Sequence, residues 1–169
     1  MAVQLYTGDG KGKTTAAFGL ALRAAGHGKR VFIAQFMKGR MYGELQAVSA
    51  IPNIEVVQFG WEACIRREDI SEFHIQRTRQ GLDSCNERAK CGRYDVLVLD
   101  EILIAQWFGL VGLEDLAGFI ARHRHHAELV LTGRRAAPEL AELADLVTEM
   151  ACVKHPFDSG VSAREGIEY

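Results

Sequence analysis

One short run near the start of the chain gathers the residues best suited to chemistry. Gly8-Asp9-Gly10-Lys11-Gly12-Lys13-Thr14-Thr15 alternates glycines with lysines and ends in two hydroxyls. Glycines let a backbone turn until successive N–H groups face one concave surface. A helix N-terminus placed behind them adds unpaired donors and a partial positive charge. A run of this kind holds phosphate. The backbone from Gly8 to Gly12, with Asp9 and Lys11 between the glycines, wraps the oxygens. Lys13 reaches them with its ammonium, Thr14 offers a hydroxyl to Mg²⁺, and Thr15 closes the set. The general pattern is G-x-x-x-x-G-K-[ST]. Gly12-Lys13-Thr14 matches its second half, while Thr7 stands where the first glycine is expected.

A second group lies at Val96-Leu97-Val98-Leu99-Asp100-Glu101, an apolar run that ends in two acids. At the carboxyl end of a strand Asp100 can hold the magnesium, directly or through water, and Glu101 can act on a group beside it. The plainer reading is an acidic cap for a helix starting near Ile102. Thr132-Gly133-Arg134-Arg135 ends another apolar run. There Arg134 either grips phosphate oxygens with its planar fork or lies solvated in a loop. Phe59 and Trp61 follow a third apolar run, where core packing is the ordinary reading of two aromatics. His123-Arg124-His125-His126 reads as a polar loop. None of Cys64, Cys85, Cys91 and Cys152 forms a C-x-x-C pair, so reduced thiols are expected.

These side chains need a frame to position them. Val3–Tyr6, Val31–Phe36, Ile54–Phe59, Val96–Leu99, Leu129–Leu131 and Leu146–Met150 read as strands. Between them, helices are expected over Thr15–Ala25, Glu44–Ala50, Ile70–Lys90, Ile102–Phe108, Leu113–Arg122 and Pro138–Ala144. Near-continuous apolar strands alternating with helices predict an α/β, RecA-like P-loop fold, its mostly parallel sheet covered on both faces. The ligand then belongs at the carboxyl ends of the strands. A length of 169 residues fits one domain over 1–169. The net charge of −2 lacks the basic footprint of a nucleic-acid binder. No apolar run is long enough for a membrane span, and no leader is visible, so the cytoplasm is the expected place. The tail from Lys154 to Tyr169 is expected to order against the site.

Taken together the motifs say more than a phosphate loop does. Thr7 to Gly19, Gln35-Phe36-Met37-Lys38-Gly39, Val98-Leu99-Asp100-Glu101 and Leu131-Thr132-Gly133-Arg134 resemble, in order, segments of the ATP:corrinoid adenosyltransferases of the cobalamin pathway. So do Val153 to Val161 and the ending Gly166-Ile167-Glu168-Tyr169. Relatives often carry a segment ahead of the first strand that helps cover the nucleotide, whereas Met1 here lies close to it. The resemblance implies that ATP gives its 5′-deoxyadenosyl group to cobalt(I) of a reduced corrinoid and leaves triphosphate. Under that reading Lys13 and Glu101 serve catalysis, and Phe59 and Trp61 displace the lower axial ligand of cobalt. A reduced flavoprotein as electron donor and a homodimer are implied as well. A P-loop ATPase or small-molecule kinase is the alternative, and a non-catalytic carrier a third reading. The two catalytic possibilities differ in product.

Overall fold

The computed structural model describes residues 1–168, so Tyr169 of the terminal motif lies outside the described residues. β1 (Val3–Thr7), β2 (Val31–Phe36), β3 (Ile54–Phe59), β4 (Val96–Asp100), β5 (Glu128–Thr132) and β6 (Leu146–Glu149) form one six-stranded sheet in the order β3-β2-β4-β5-β1-β6. Every pairing is parallel. The helices are α1 (Lys13–Gly26), α2 (Gly43–Val48), α3 (Glu72–Lys90), α4 (Ile102–Trp107), α5 (Leu113–His123) and α6 (Pro138–Glu142). No helix among the described residues is long and apolar enough to cross a membrane.

The apolar runs are continuous because alternate residues serve two different cores. Val31, Ile33, Val96, Val98 and Val130 point to one face, beneath Ala17, Phe18 and Ala21 of α1 and Leu45 and Val48 of α2. Phe32, Ala34, Phe36, Leu97, Leu99, Leu129 and Leu131 point to the other, packing with residues of α3 to α6 such as Leu82, Cys85, Leu116, Phe119 and Leu140. Strand side chains alternate with a period of two, so with a core on each face every position of β2 and β4 is buried.

Three local readings change. α1 begins at Lys13 rather than Thr15, because Gly12 takes φ 121 and turns the chain into the helix there. Lys13 and Thr14 therefore ride on the first helical turn. α3 begins at Glu72, with Ser71 as its cap: the Ser71 N–H donates to His74 Nδ1 at 3.0 Å. His123 belongs to no loop. It is the last residue of α5, 2% exposed, with its Nε2 paired to Asn86 Oδ1 at 2.8 Å.

Candidate active site

The carboxyl ends of β1, β2, β4 and β5 bring the candidate residues together. On the α1 face, each of three strands follows a buried valine or isoleucine with a polar residue two positions on: Ile33 then Gln35, Val98 then Asp100, Val130 then Thr132. All three polar residues are fully buried. Gln35 lies opposite Asp100 in the ladder, and its Nε2 donates to Asp100 Oδ2 at 3.1 Å. The Thr132 hydroxyl donates to Asp100 Oδ1 at 2.7 Å, and its oxygen accepts from the Glu101 N–H at 3.0 Å. Gln58 extends the row across β3, donating to Gln35 Oε1 at 3.0 Å.

Two more donors reach Asp100 from outside the sheet. The Thr14 hydroxyl donates to Oδ1 at 2.9 Å. The Lys38 ammonium donates to Oδ2 at 2.8 Å and to Thr14 Oγ1 at 2.9 Å. A cation thus already bridges the hydroxyl and the carboxylate named as metal ligands. Two hard oxygens beside it suit Mg²⁺, which takes one or two protein oxygens and fills its shell with water and phosphate. Burial pulls the Lys38 pKa down, but the neighbouring Asp100 and Glu101 carboxylates outweigh it and raise it.

The candidate phosphate loop turns between β1 and α1 through Gly8 at φ 93 and Gly12 at φ 121. A side chain at Gly8 would meet the Met150 carbonyl at 2.5 Å and one at Gly10 would meet it at 2.6 Å, so the chain leaving β6 abuts the loop. Gly10 N–H donates to that same carbonyl at 2.6 Å. Thr7 needs no special backbone: it is the last residue of β1, in register with Glu149, and its carbonyl accepts from Met150 N–H at 2.8 Å. That explains why a threonine can stand at the usual glycine position. Lys13 is buried and donates to the Gly8 and Gly10 carbonyls at 2.7 and 2.6 Å. Burial lowers its pKa, partly offset by Glu101.

A cleft of about 930 Å³ opens over this loop, lined by Gly10 to Thr15, Lys38, Glu101 and Arg134, and by His155, Gly166, Ile167 and Glu168 of the tail. Its size falls within the ~300–1,000 Å³ of small-molecule sites. The tail meets the loop directly. Lys11 Nζ donates to the Ile167 carbonyl at 2.8 Å and to Glu168 Oε1 at 2.9 Å. Asp9 and Arg134 form a loose, exposed pair at 4.0 Å. The Glu101 pKa is raised, first by burial and then by Asp100 beside it.

Phe59 and Trp61 stand apart from this cleft. Phe59 is 7% exposed and packs on Phe36 in the α3-side core, with ring centroids 6.1 Å apart. Trp61 is half-buried, edge-on to His74 at 4.4 Å. Yet the two regions are mechanically joined. A side chain at Gly39 would strike the Trp61 backbone at 2.6 Å, and one at Gly60 would strike Lys38 N at 2.0 Å. The loop that carries Lys38 therefore lies backbone to backbone with the loop that carries Trp61.

Sequence reading missed Gln35, Lys38 and Thr132 as members of the site, although each stands in a quoted motif. For Gln35 and Thr132 the usable signal was strand parity, since they continue the face of Ile33 and Val130; Lys38, in the loop after β2, carried no such signal. Backbone strain marks the same rim. Among the described residues, Met37 (φ 56), Glu101 (φ 64) and Arg135 (φ 55) have positive φ without being glycine, and each immediately follows, or lies close behind, β2, β4 or β5. Such conformations cost about 1–3 kcal/mol each and persist where the surroundings impose them.

Comparison with known proteins agrees with this geometry. The sequence profile of the family described as ATP:corrinoid adenosyltransferase BtuR/CobO/CobP matches residues 1–169. A corrinoid adenosyltransferase of Sinorhizobium sp is 36% identical over 96% of this chain and 78% of its own length. That of Escherichia coli (strain K12) is 35% identical, covering 98% and 84% respectively. The corrinoid adenosyltransferase CobA of Salmonella typhimurium is 35% identical with the same coverage. On these matches the chain belongs to the ATP:corrinoid adenosyltransferase family.

Proposed function

We propose that this chain binds Mg-ATP with its triphosphate over Gly8–Thr15 and passes the 5′-deoxyadenosyl group to cobalt(I) of a corrinoid. In that step cobalt(I) supplies the electron pair for the new Co–C5′ bond. The C5′–O5′ bond breaks, its pair stays on the oxygen, and triphosphate departs. Negative charge builds on O5′ and the phosphates, so the useful groups are positive charges and N–H donors that can face them. Lys13, the backbone of Gly8, Asp9, Gly10, Lys11 and Gly12, and Arg134 would be those groups, once Lys13 exchanges the Gly8 and Gly10 carbonyls, and the Gly10 N–H the Met150 carbonyl, for phosphate oxygens. Thr14 and Asp100 hold Mg²⁺, which would neutralise part of the charge developing on the triphosphate. Lys38 compensates Asp100 and orients its carboxylate. Glu101 borders the same cleft from a strained backbone and bears on the reacting end of the nucleotide.

The observation that carries this reading is Asp100: fully buried, yet bonded by Thr14 of the phosphate loop and by Lys38. A buried carboxylate with this many charge-assisted partners is costly unless it is used.

Phe59 and Trp61 are proposed as the corrinoid-facing wedge that excludes the lower axial ligand and makes cobalt(II) easier to reduce. Trp61 needs little movement. Phe59 must first leave its place beside Phe36, at a cost of roughly 1.5–3 kcal/mol, which corrinoid binding has to supply. A reduced flavoprotein would provide the electron, and the chain would work as a homodimer in the cytoplasm.

The test is an anaerobic assay with Mg-ATP and chemically reduced cobalamin, reading the corrinoid spectrum and the phosphate product together. A light-sensitive alkylcobalamin with stoichiometric triphosphate is expected. ADP and phosphate with an unchanged corrinoid would overturn the reading. In the same assay Lys13→Ala should lose at least about tenfold in kcat/KM, since a charge-assisted contact is worth roughly 1.5–3 kcal/mol and grows in the transition state.

A further inference from the structure

A second cleft, of about 680 Å³, lies on the same rim but on the α4 to α6 side, lined among others by Arg67, Trp107, Arg135 and Pro138. Trp107 ends α4 and is 38% exposed, unusual for the largest apolar side chain. Two guanidiniums lie against its indole: Arg67 at 5.1 Å and Arg135 at 5.0 Å from the ring centroid. Among the described residues no carboxylate comes within ion-pair distance of either. Three separate elements converge to build this clamp: the loop after β3, the end of α4 and the turn after β5.

The turn after β5 divides its two arginines between the two clefts. Arg134 lines the phosphate cleft, while Arg135, held at φ 55, faces Trp107. A strained backbone that aims a second cation away from the phosphates implies a second anionic ligand. Trp61 and Phe59 pack against the same α3-side core as this cleft's Ala136 and Ala137. Arg67 belongs to the segment that follows Trp61. The second cleft and the aromatic pair thus share one face of the sheet, and the cleft over Gly10 to Thr15 opens on the other.

An indole with two unpaired guanidiniums recognises a flat ring attached to a single negative charge, by stacking and by forked hydrogen bonds. A complete corrinoid carries such a group: the lower base, tethered through a phosphodiester. When an aromatic wedge takes the base's place under cobalt, base and phosphodiester must go elsewhere. Resting on the function proposed above, we infer that the Arg67–Trp107–Arg135 cleft receives this displaced, phosphodiester-linked base. The cleft would make the chain prefer a complete corrinoid over one lacking the nucleotide tail.

The experiment compares cobalamin with cobinamide, which has the corrin ring but no tail, in wild type, Trp107→Ala and the double variant Arg67→Gln/Arg135→Gly. Glycine at 135 removes the guanidinium while suiting the left-handed backbone, so the double variant keeps the test valid if Trp107→Ala folds poorly. In either variant the KM for cobalamin should rise about tenfold, equivalent to about 1.4 kcal/mol, with the KM values for cobinamide and ATP unchanged. A parallel rise for cobinamide would make the clamp a support for the ring or the fold and overturn the inference. No change with any substrate would also overturn it, as would a rise confined to ATP, which would assign the cleft to a free nucleotide. If the wild type adenosylates neither corrinoid, the proposed function itself fails and this inference fails with it.

Discussion

Two carboxylates on this sheet, Asp100 and Glu55, each bind one cation and at least one hydroxyl, and the contrast between them separates the proposed working site from a structural cluster. Glu55, near the start of β3, accepts from Arg88 Nη2 at 2.6 Å and from the Tyr94 hydroxyl. Arg88 is held within α3, donating to Ser84 Oγ at 2.6 Å, and its guanidinium lies 4.2 Å from the Phe32 ring centroid. The Glu55 side chain is 41% exposed, whereas that of Asp100 is 0% exposed. Water can replace a lost partner at Glu55 and cannot at Asp100. The Glu55 cation comes from a regular helix. The Asp100 cation comes from a loop entered through Met37 at φ 56. One arrangement staples α3 to the sheet; the other holds charge in readiness where the strands end.

The largest expected effect follows from breaking both pairs alike. Asp100→Asn leaves the half-buried Lys38 ammonium without its counter-charge, and losing one partner of a buried pair costs about 3–5 kcal/mol. Activity should fall by about a hundredfold or more, since the same carboxylate is the proposed metal ligand. Glu55→Gln should keep kcat/KM within about twofold, because a partly exposed pair contributes only ~0–1 kcal/mol and touches no substrate. Steady-state kinetics and thermal melts of the two variants side by side decide it. Equal losses of activity would erase the distinction drawn here.

Lys38→Met sharpens the same contrast. It removes the cation and leaves Asp100 charged and buried, so the fold should weaken. Mg²⁺ alone, without nucleotide, should then raise the melting temperature of the variant more than that of wild type, since a ligand at 100 times its Kd adds about 2.7 kcal/mol. If Mg²⁺ moves both proteins equally, Thr14 and Asp100 are not its ligands. The corresponding substitution Arg88→Met leaves Thr14, Lys38 and Asp100 in place, so its Mg²⁺ response should match that of wild type.

How much of this was legible beforehand depends on distance along the chain. The strands and helices were readable because their apolar periods are local, and all six strands lie where their apolar runs do. Lys13, Thr14 and Asp100 were readable because their neighbours are diagnostic. The meeting of Lys38 with Asp100 was not, since it depends on β2 lying beside β4, a fact of strand order. The Glu55, Arg88 and Tyr94 cluster was invisible for the same reason, as was His123, whose partner Asn86 sits on another helix. The aromatic pair was found by motif, but its burial belongs to packing: Gly81 leaves room against which the Phe36 and Phe59 rings lie, a side chain there meeting Phe36 at 2.6 Å.

Glu101 tests whether the strained rim sacrifices stability for function. Its pKa is raised by burial and by Asp100. For an acid, a raised folded pKa favours the protonated form, so its contribution to stability is present at low pH and lost as pH rises through that pKa. Above the ordinary carboxylate range the group therefore works against the fold. Glu101→Gln should melt higher than wild type at pH 7, with the difference shrinking toward pH 4, while activity drops. A variant that melts lower at pH 7 would show that the carboxylate is held by favourable contacts instead.

The smallest effect belongs to the structural cluster. Tyr94→Phe deletes the hydroxyl that donates to Glu55 and leaves the ring against Phe32, with centroids 5.7 Å apart. Hydrogen bonding to Tyr94 and Arg88 overcomes the effect of burial and holds the Glu55 pKa below the ordinary carboxylate value. A lowered acid pKa stabilises above the unfolded value and fades as pH falls through the folded one. Removing the hydroxyl should cost roughly 0.5–1.5 kcal/mol at pH 7, and less at pH 3, since this contribution fades as the pH falls. Denaturant melts at the two pH values measure this, and kcat/KM should not change. A comparable loss of activity would mean that α3 transmits the state of Glu55 to the loop bearing Trp61. His74 at the head of that helix, against the indole, and Arg77, which donates to the Gln58 carbonyl at 3.1 Å, provide such a route.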